Sequence, residues 1–262
     1  MRNRRGFTLI EFSIVLVVVG FLIGGVLVAR EMIQAFQIRK IVSAHEDLAM
    51  RYNAFTMKYN CIPGDCPNAT NFWGAAGGCP SWTPSATCNG DGNGHVLFST
   101  ESGWFWNHLY HAGLGQGYAS KVDGVNLNFR YLFPPIRKGI NYENEVFWLI
   151  GSTSVDYAQM YAATSSGCTW NATDMRGVGV QTVVRNSPSL QPVSPAETVA
   201  NTFAIDSKVD DGRPCTGKFH ASSGHIFGTS TWTSCVSGSG NSAIYNLSQT
   251  GDVCRYIFQL DQ

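Results

Sequence analysis

The sequence has few charged residues, and the two signs cancel. Only 14% of its 262 residues are Asp, Glu, Lys or Arg, well below the roughly 25% of an average soluble domain. Eighteen basic and 18 acidic side chains leave no net charge. This balance argues against an electrostatic nucleic-acid binder, because such a protein needs a basic face. Apolar residues make up 44% of the chain, which is sufficient for a packed core.

Enzyme motifs are also missing. The chain has no Gly-x-Ser-x-Gly nucleophile elbow, no phosphate-binding P-loop and no His-Glu-x-x-His zinc motif. His108 and His111 could share a metal from one helix face, but without a third ligand we interpret them as packing or surface groups. We therefore predict that the protein is not an enzyme.

Cysteine is absent from the first 60 residues, whereas eight cysteines follow. An even set confined to one part of the chain predicts disulfides formed in an oxidising compartment. A zinc site is the alternative, but no Cys-x-x-Cys pair occurs and the spacings are irregular. The candidates are Cys61, Cys66, Cys79, Cys88, Cys168, Cys215, Cys235 and Cys254. Three bridges are plausible, namely Cys61–Cys66, Cys79–Cys88 and Cys235–Cys254, while the full connectivity stays open.

One long apolar run lies near the N-terminus. Phe7 to Ala29 contains a single charged residue and, as a helix, is roughly 35 Å long, enough to cross a bilayer. A secretory signal peptide is the alternative, but its apolar region is shorter and ends at a small-x-small cleavage site. Three arginines precede the run, which favours a cytoplasmic N-terminus, and the cysteines place the rest of the chain outside the cytoplasm.

Glu11 is the single charged residue within that run. An ionised carboxylate in a membrane helix costs about 2.5–3.5 kcal/mol on insertion scales, which makes it a functional candidate. The alternative is an interfacial charge that reaches water at the membrane edge. If the chain is cut after Gly6, Phe7 gains a free α-amine. That amine could neutralise Glu11 of a neighbouring helix. The pairing would favour parallel helices packed with a fixed axial offset.

The segment from Gly6 to Glu11 (GFTLIE), between a basic leader and an apolar helix, resembles the type IV prepilin motif. The resemblance implies cleavage after Gly6 by a prepilin peptidase, N-methylation of Phe7 and assembly through Glu11 into a pilus or secretion pseudopilus. It also implies other pilin or pseudopilin subunits, an inner-membrane assembly platform and membrane lipid as partners. The implied location is the bacterial inner membrane, with a single pass, a cytoplasmic N-terminus and a periplasmic head.

The helical pattern continues beyond the apolar run. Apolar residues recur at steps of three and four, and no proline precedes Pro63, so we predict one helix from Phe7 to near Tyr59. The residues of this stripe are Ile41, Ala44, Leu48, Tyr52, Phe55 and Tyr59. The predicted parts are a cleaved leader (1–6), a transmembrane and assembly helix (7–29), its amphipathic continuation (30–60) and a globular head (61–262).

The head has short elements separated by turns. A helix is predicted over 100–112, with Trp104, Phe105, His108, Leu109 and Ala112 on one side. Strands are predicted over 125–133, where apolar residues alternate, and over 146–150, 178–184 and 256–260. A capping box over 194–197, with proline at the first helical position, predicts a helix running to about Ile205 that buries Val199 and Phe203. The fold class expected is α+β and pilin-like, with the long helix packed on an antiparallel sheet and with disulfide-stapled loops.

The head has two acidic segments, and the first could hold a cation. The first begins Asn89-Gly90-Asp91-Gly92-Asn93-Gly94, which is similar to the front of a calcium loop. The expected glutamate at its twelfth position is replaced by Thr100, and Glu101 lies one step later. Asn89, Asp91, Asn93 and Glu101 are therefore the candidate ligands of a weak calcium site, and Asx-Gly turns explain the same residues without an ion. The second segment, over 206–212, contains a further turn signal at Asp211-Gly212.

Three functions follow from these patterns. The first is a filament subunit, and a size of 256 residues after cleavage favours a minor subunit over a repetitive major one. The second is a tip adhesin or binding module that presents the head to a surface or cargo. The third is a membrane-anchored periplasmic enzyme. No cofactor is expected, apart from the possible calcium.

Overall fold

The structure is a computed structural model that describes residues 8–74, 87–96, 101–115, 135–138, 145–152, 178–186, 189–191, 197–223 and 234–260. The chain divides into two units, Met1–Ile41 and Val42–Gln262. The predicted boundaries at residues 6, 29 and 60 stay predictions.

The first helix, α1, runs from Leu9 to Tyr59 and contains 51 residues. It confirms the prediction of a single helix from Phe7 to near Tyr59. It ends where Asn60 adopts a left-handed backbone conformation with φ 53°, a conformation that commonly stops a helix. By length and composition, α1 is able to cross a membrane, and its apolar segment is exposed.

The second half of α1, from Val42 to Tyr59, has one buried face. Leu48, Tyr52 and Phe55 are buried, and Ala44 and Tyr59 are half-buried, as the spacing of the apolar stripe predicts. Contacts between aromatic rings pack this segment of α1 against the head. The Tyr52 ring stacks on Phe105 at 6.4 Å between centroids, for example.

An antiparallel sheet forms the centre of the head. Its strands pair in the order β1-β2-β3-β9-β5, with β4 added beside β3 and β6 beside β9. A separate two-stranded sheet pairs β7 with β8. The bounds are β1 Pro135–Lys138, β2 Glu145–Ser152, β3 Val178–Asn186, β4 Ser189–Gln191, β5 Glu197–Thr198, β6 Phe219–Ser223, β7 Val236–Ser237, β8 Ile244–Tyr245 and β9 Asp252–Gln259.

Three of the predicted strands are confirmed, and each is longer than expected. The segments predicted at 146–150, 178–184 and 256–260 correspond to β2, β3 and β9. Strand β9 is central because β3, β5 and β6 all pair with it. Phe219 of β6 lies opposite Phe258 of β9, and both side chains are fully buried. The alternating segment predicted at 125–133 lies outside the described residues.

The described head also contains three shorter α-helices, α2 Ala69–Trp73, α3 Glu101–His111 and α4 Val199–Val209, and a 3₁₀ turn at Gly240–Ser242. Helix α3 confirms the prediction for 100–112. Its residues Phe105, His108 and Leu109 are buried, and Trp104 and Ala112 are half-buried.

The prediction for the start of α4 is wrong. The helix begins at Val199, and its N-cap is Thr198, whose hydroxyl accepts the backbone N–H of Asn201 at 3.2 Å. Glu197 therefore does not close a capping box over 194–197, because it pairs with Cys254 as part of β5. The helix also extends four residues past Ile205. Val199 is buried as predicted, whereas Phe203 is 39% exposed, since Val199 and Ile205 form the buried face instead.

Two of the predicted disulfides are present, Cys61–Cys66 and Cys235–Cys254. Cys88 and Cys215 are disulfide-bonded as well, while Cys79 and Cys168 lie outside the described residues. The Cys235–Cys254 bridge ties the segment before β7 to the central strand β9. A long apolar N-terminal helix, an antiparallel sheet in the head and disulfide-held loops make the fold α+β with a pilin-like arrangement, as predicted.

Candidate functional site

The first turn of α1 is a capping box formed by Thr8 and Glu11. The Thr8 backbone N–H and the Thr8 hydroxyl both donate to the Glu11 carboxylate, each at 2.8 Å. In return the Glu11 N–H donates to the Thr8 hydroxyl oxygen at 3.4 Å. The reciprocal bonds satisfy backbone donors that a helix N-terminus otherwise leaves unpaired. The Thr-x-x-Glu spacing was a readable signal for this role of Thr8, but the sequence reasoning missed it.

An exposed apolar surface surrounds this capping box. Leu9, Ile10 and Phe12 are each more than 60% exposed, and the exposed apolar side chains continue to Val28. Further along the same helix, a Cβ built on Gly20, Gly24 or Gly25 would meet no atom within 4 Å. The surface can therefore be buried by lipid or by helices of other subunits, and the small residues permit close backbone approach. Gly6 and Phe7, the predicted cleavage and methylation residues, lie outside the described residues.

The second candidate site is a group of three carboxylates in the head. Each of Asp65, Asp91 and Glu101 offers an oxygen, and these oxygens all lie within 4.8 Å of one another. Asp65 and Glu101 are buried, whereas Asp91 is exposed. Burial raises the pKa of the Asp65 carboxyl, the nearby Asp91 charge adds to that effect, and hydrogen bonds from Gly94 and Gly92 oppose it. Carboxylate oxygens in such a group are the ligands that calcium prefers.

The backbone of the 92–94 loop wraps around the Asp65 carboxylate. One oxygen accepts the N–H of Gly92 at 2.6 Å and of Asn93 at 3.2 Å, and the other accepts the N–H of Gly94 at 2.8 Å. This approach requires glycine at position 90, because a Cβ there would lie 2.3 Å from the Asp65 Cα. The Asp65 carboxylate thus joins the loop that contains Asp65 to the 92–94 loop.

His108 also joins these two parts of the chain, through Gly64 on one side and Cys88 on the other. Its Nδ1 accepts the Gly64 N–H at 2.9 Å, so its Nε2 carries the proton and donates to the Cys88 carbonyl at 2.9 Å. The side chain is completely buried, and burial lowers its pKa to about 4. His108 is therefore a neutral packing group, and it is more deeply buried than the sequence indicates. His111 is exposed, with its ring stacked on Trp73 at 6.1 Å.

The structure brings together only part of the predicted calcium ligands. Asp91 and Glu101 share the carboxylate group, whereas the Asn89 side-chain oxygen accepts the Thr70 N–H at 2.9 Å. The Asn93 oxygen accepts the His95 N–H at 2.8 Å. Sequence reasoning missed Asp65, because it lies 26 positions before Asp91 and no local spacing links the two.

A second carboxylate group consists of Asp206, Asp210 and Asp211. Asp206 is fully buried and accepts the Tyr245 hydroxyl at 2.6 Å and the Gly212 N–H at 3.2 Å. Burial raises the pKa of Asp206 to about 7, although these two hydrogen bonds oppose the shift. Burial also raises the pKa of the Tyr245 hydroxyl, and the Asp206 charge adds to that rise.

The other two carboxylates of this group organise the turn that follows α4. Asp210 accepts the backbone N–H groups of Lys218 and Phe219, the latter at 2.9 Å. Asp211 accepts the N–H of Arg213 at 2.8 Å and the Thr216 hydroxyl. Since each carboxylate is used by the adjoining backbone, this group holds the connection between α4 and β6. At the predicted turn signal Asp211-Gly212 the chain bends, with φ 74° at Gly212.

Comparison with protein families identifies the N-terminal segment. Residues 1–27 match the family model described as the prokaryotic N-terminal methylation motif, which is the type IV pilin and pseudopilin signature. The match covers 27 of the 262 residues. No curated protein and no solved structure matches the chain. The motif implies processing by a prepilin peptidase and assembly with other pilin subunits, and it suggests a structural subunit rather than an enzyme.

Proposed function

We propose that this prepilin-like chain is cleaved after Gly6, N-methylated at Phe7 and assembled through α1 as a minor subunit of a type IV pilus or secretion pseudopilus. The single observation that carries the proposal is the placement of Glu11 in the first turn of an exposed apolar helix, inside the methylation motif. An isolated carboxylate in such a surface needs a cation once the surface is buried. The amine of Phe7 on an adjoining subunit supplies that cation.

The orientation belongs to the same proposal. Arg2, Arg4 and Arg5 keep the N-terminus in the cytoplasm, and the head crosses to the periplasm, where its disulfides form. The Cys61–Cys66 and Cys235–Cys254 bridges support an oxidising location for the head. The inner-membrane assembly platform and the surrounding lipid are the further partners in this proposal.

Two measurements test the assembly proposal. Mass spectrometry of the chain from its native membrane should show a mature N-terminus at N-methylated Phe7, and an intact leader or a cut near Ala29 would refute the proposal. In the second, Glu11→Ala should leave cleavage and membrane insertion intact but abolish filament incorporation. Glu31→Ala, an exposed acid further along the same helix, is the matched control and should assemble normally.

A tip subunit that presents the head to a surface or cargo is the second candidate. The observation favouring it is an aromatic surface in which Phe72 is 48% and Tyr110 is 49% exposed. Both contact the Trp73–His111 ring pair, Phe72 at 5.7 Å from Trp73 and Tyr110 at 5.3 Å from His111. The double variant Phe72→Ser/Tyr110→Ser should then lose adhesion or cargo binding while filaments still form. Unchanged binding would exclude this role for the patch.

We also propose that Asp65, Asp91 and Glu101 form a weak calcium site, in place of the set built on Asn89 and Asn93. The oxygens of these three carboxylates lie within 4.8 Å of one another, and a cation would offset their mutual repulsion. Millimolar calcium should raise the thermal unfolding midpoint of the full chain in detergent, and magnesium should raise it less. The increase should disappear in Asp91→Asn. An equal response of the native chain and this variant would refute the site.

A further inference from the structure

His45 lies where the second half of α1 meets the central strand of the sheet. Its ring stacks on the ring of Phe258 of β9, with 4.1 Å between centroids and 23° between planes. Only 7% of His45 is exposed, and Phe258 is completely buried. Phe258 in turn contacts Phe219 at 4.7 Å and Tyr256 at 5.5 Å. The imidazole is thus part of the aromatic packing between the helix and the sheet.

The surroundings of His45 suit a neutral ring. Among the described residues, neither ring nitrogen has a hydrogen-bond partner of good geometry. Burial lowers the pKa of His45 to about 4, the Gln259 backbone opposes that shift, and the Lys218 charge adds to it. A protonated ring would carry two N–H donors and a positive charge, and this site offers little compensation for either.

The groups that act on the pKa of His45 include no acid of the described sheet strands. On β6 and β9 the charged or titratable groups outside the disulfide are His220, Asp252, Arg255 and Tyr256. Alternation places His220 and Arg255 on the opposite face from Phe258. Tyr256 contacts Phe258 at 5.5 Å, and Asp252 begins β9 six residues before Phe258, about 20 Å along the strand. On α1 itself, the adjacent Glu46 and Asp47 are exposed. Lys218, just before β6, is the cation whose charge reaches the ring.

We propose that His45 is an acid-sensitive latch that keeps the Val42–Tyr59 segment of α1 packed on β9 at neutral pH and loosens that contact as the pH falls. Proton uptake requires the ring to leave Phe258 and reach water. The stacked, buried position holds only the neutral form, so acid shifts the equilibrium toward the open contact. This inference concerns the contact between the 42–59 segment of α1 and the head, and it does not depend on filament assembly.

The expected size follows from proton linkage. The His45 ring has a pKa near 4 when it is packed on Phe258 and the ordinary pKa of 6.5 when the contact is open. This difference stabilises the packed contact above pH 6.5, and the stabilisation is lost as the pH falls. Between pH 7.5 and pH 5, the open fraction of this contact should rise about 30-fold. Two other buried groups also have shifted pKa values close to this pH range. The pKa of His108 is lowered to about 4, and that of Asp206 is raised to about 7. Only a difference between variants therefore isolates His45.

Hydrogen exchange of the full chain in detergent micelles tests the latch. Exchange of peptides covering 42–59 and 252–259 is measured at pH 7.5 and pH 5 and corrected for the intrinsic rate. The native chain is compared with His45→Phe, which keeps a ring against Phe258 but cannot bind a proton. The open fraction of the native contact should rise about 30-fold more than that of the variant. His45→Gln, a second side chain that does not titrate, provides the comparison if His45→Phe does not fold.

The results of this experiment either support or refute the role of His45. A pH-dependent opening that is lost in the variant supports the latch. The same pH dependence in the native chain and in the variant refutes it, because the opening then belongs to other titrating groups such as His108. Opening of peptides throughout the head, with no excess in 42–59, also refutes it.

Discussion

The Thr8 hydroxyl and the Thr8 backbone N–H both donate to the Glu11 carboxylate, at 2.8 Å each. The only charged side chain of the apolar segment is therefore already hydrogen-bonded within its own first turn. An amine from a neighbouring subunit would join or replace these donors. Because a capping box orients the carboxylate toward the N-terminus of its own helix, Glu11 faces the end of α1 that precedes it in the chain, where the predicted cleavage site lies.

We first predict that Thr8→Val loosens the first turn of α1. Valine matches threonine in shape but has no hydroxyl, so the carboxylate loses one donor and the Glu11 N–H loses its acceptor. Amide exchange at residues 9–12, followed by NMR in micelles, should become several-fold faster. Thr8→Ser keeps the hydroxyl and should behave as the native chain does. Equal exchange in Thr8→Val and Thr8→Ser would contradict the capping role.

The second prediction concerns the two observed disulfides. Cys235 and Cys254 are 19 residues apart and fully buried, whereas Cys61 and Cys66 are 5 apart. Because a longer closed loop restricts the unfolded chain more, replacing Cys235 and Cys254 by alanine should cost about 3 kcal/mol of unfolding free energy. The same replacement of Cys61 and Cys66 should cost about 2 kcal/mol. Denaturant unfolding of both double variants measures the difference, and a reversed order would contradict this account.

Much of the fold could be predicted because its signals are local. The apolar spacing that defines α1, the β-branched strand segments and the short cysteine spacings each lie within one stretch of sequence. The start of α4 could not be predicted in this way. Its capping box over 194–197 was a plausible local signal, but Glu197 pairs with Cys254 on β9 instead. That pairing joins residues far apart in sequence, and the helix begins only at Val199, with Thr198 as its N-cap.

The candidate sites also divide into residues that can be identified from local sequence and residues that only the fold brings together. Glu11 could be identified because one charge in an apolar run is visible without a structure. Asp65 could not, since only the folded loops bring it next to Asp91 and Glu101. The pairing of Asp206 with Tyr245 joins residues 39 apart and was equally inaccessible. Local chemistry is readable from sequence, whereas a site assembled from separate loops depends on the tertiary fold.

The third prediction is that His108 stabilises the head by bridging two loops. His108→Ala removes the acceptor of the buried Gly64 N–H and the His108 donor to the buried Cys88 carbonyl. Loss of each buried hydrogen bond costs about 1–3 kcal/mol, so the variant should lose about 2–6 kcal/mol of unfolding free energy. His111→Ala, which removes an exposed ring from the same helix, should change stability by less than about 1 kcal/mol. Similar losses in the two variants would show that the bridge is unimportant.

The last prediction is that the hydrogen bond from Tyr245 to Asp206 matters more at high pH. The pKa of Asp206 is raised from 3.8 to about 7, so this group favours folding at low pH and loses that contribution as the pH rises toward 7. Above pH 7 the carboxylate is ionised and buried, and the Tyr245 hydroxyl at 2.6 Å is then a charge-assisted donor. Tyr245→Phe removes this donor and should cost about 1–3 kcal/mol at pH 8.

At pH 5 the same variant should lose less, because the neutral carboxyl needs its partner less. Unfolding of the native chain and of Tyr245→Phe at both pH values measures the difference. Tyr110→Phe is the matched control, since the Tyr110 side chain is 49% exposed, and its effect should not change with pH. A cost for Tyr245→Phe that is equal at pH 5 and pH 8 would mean that Asp206 does not change its charge in the folded protein over this range. The raised pKa of this buried carboxyl would then be wrong, and the contribution of the Tyr245 hydroxyl would not depend on pH.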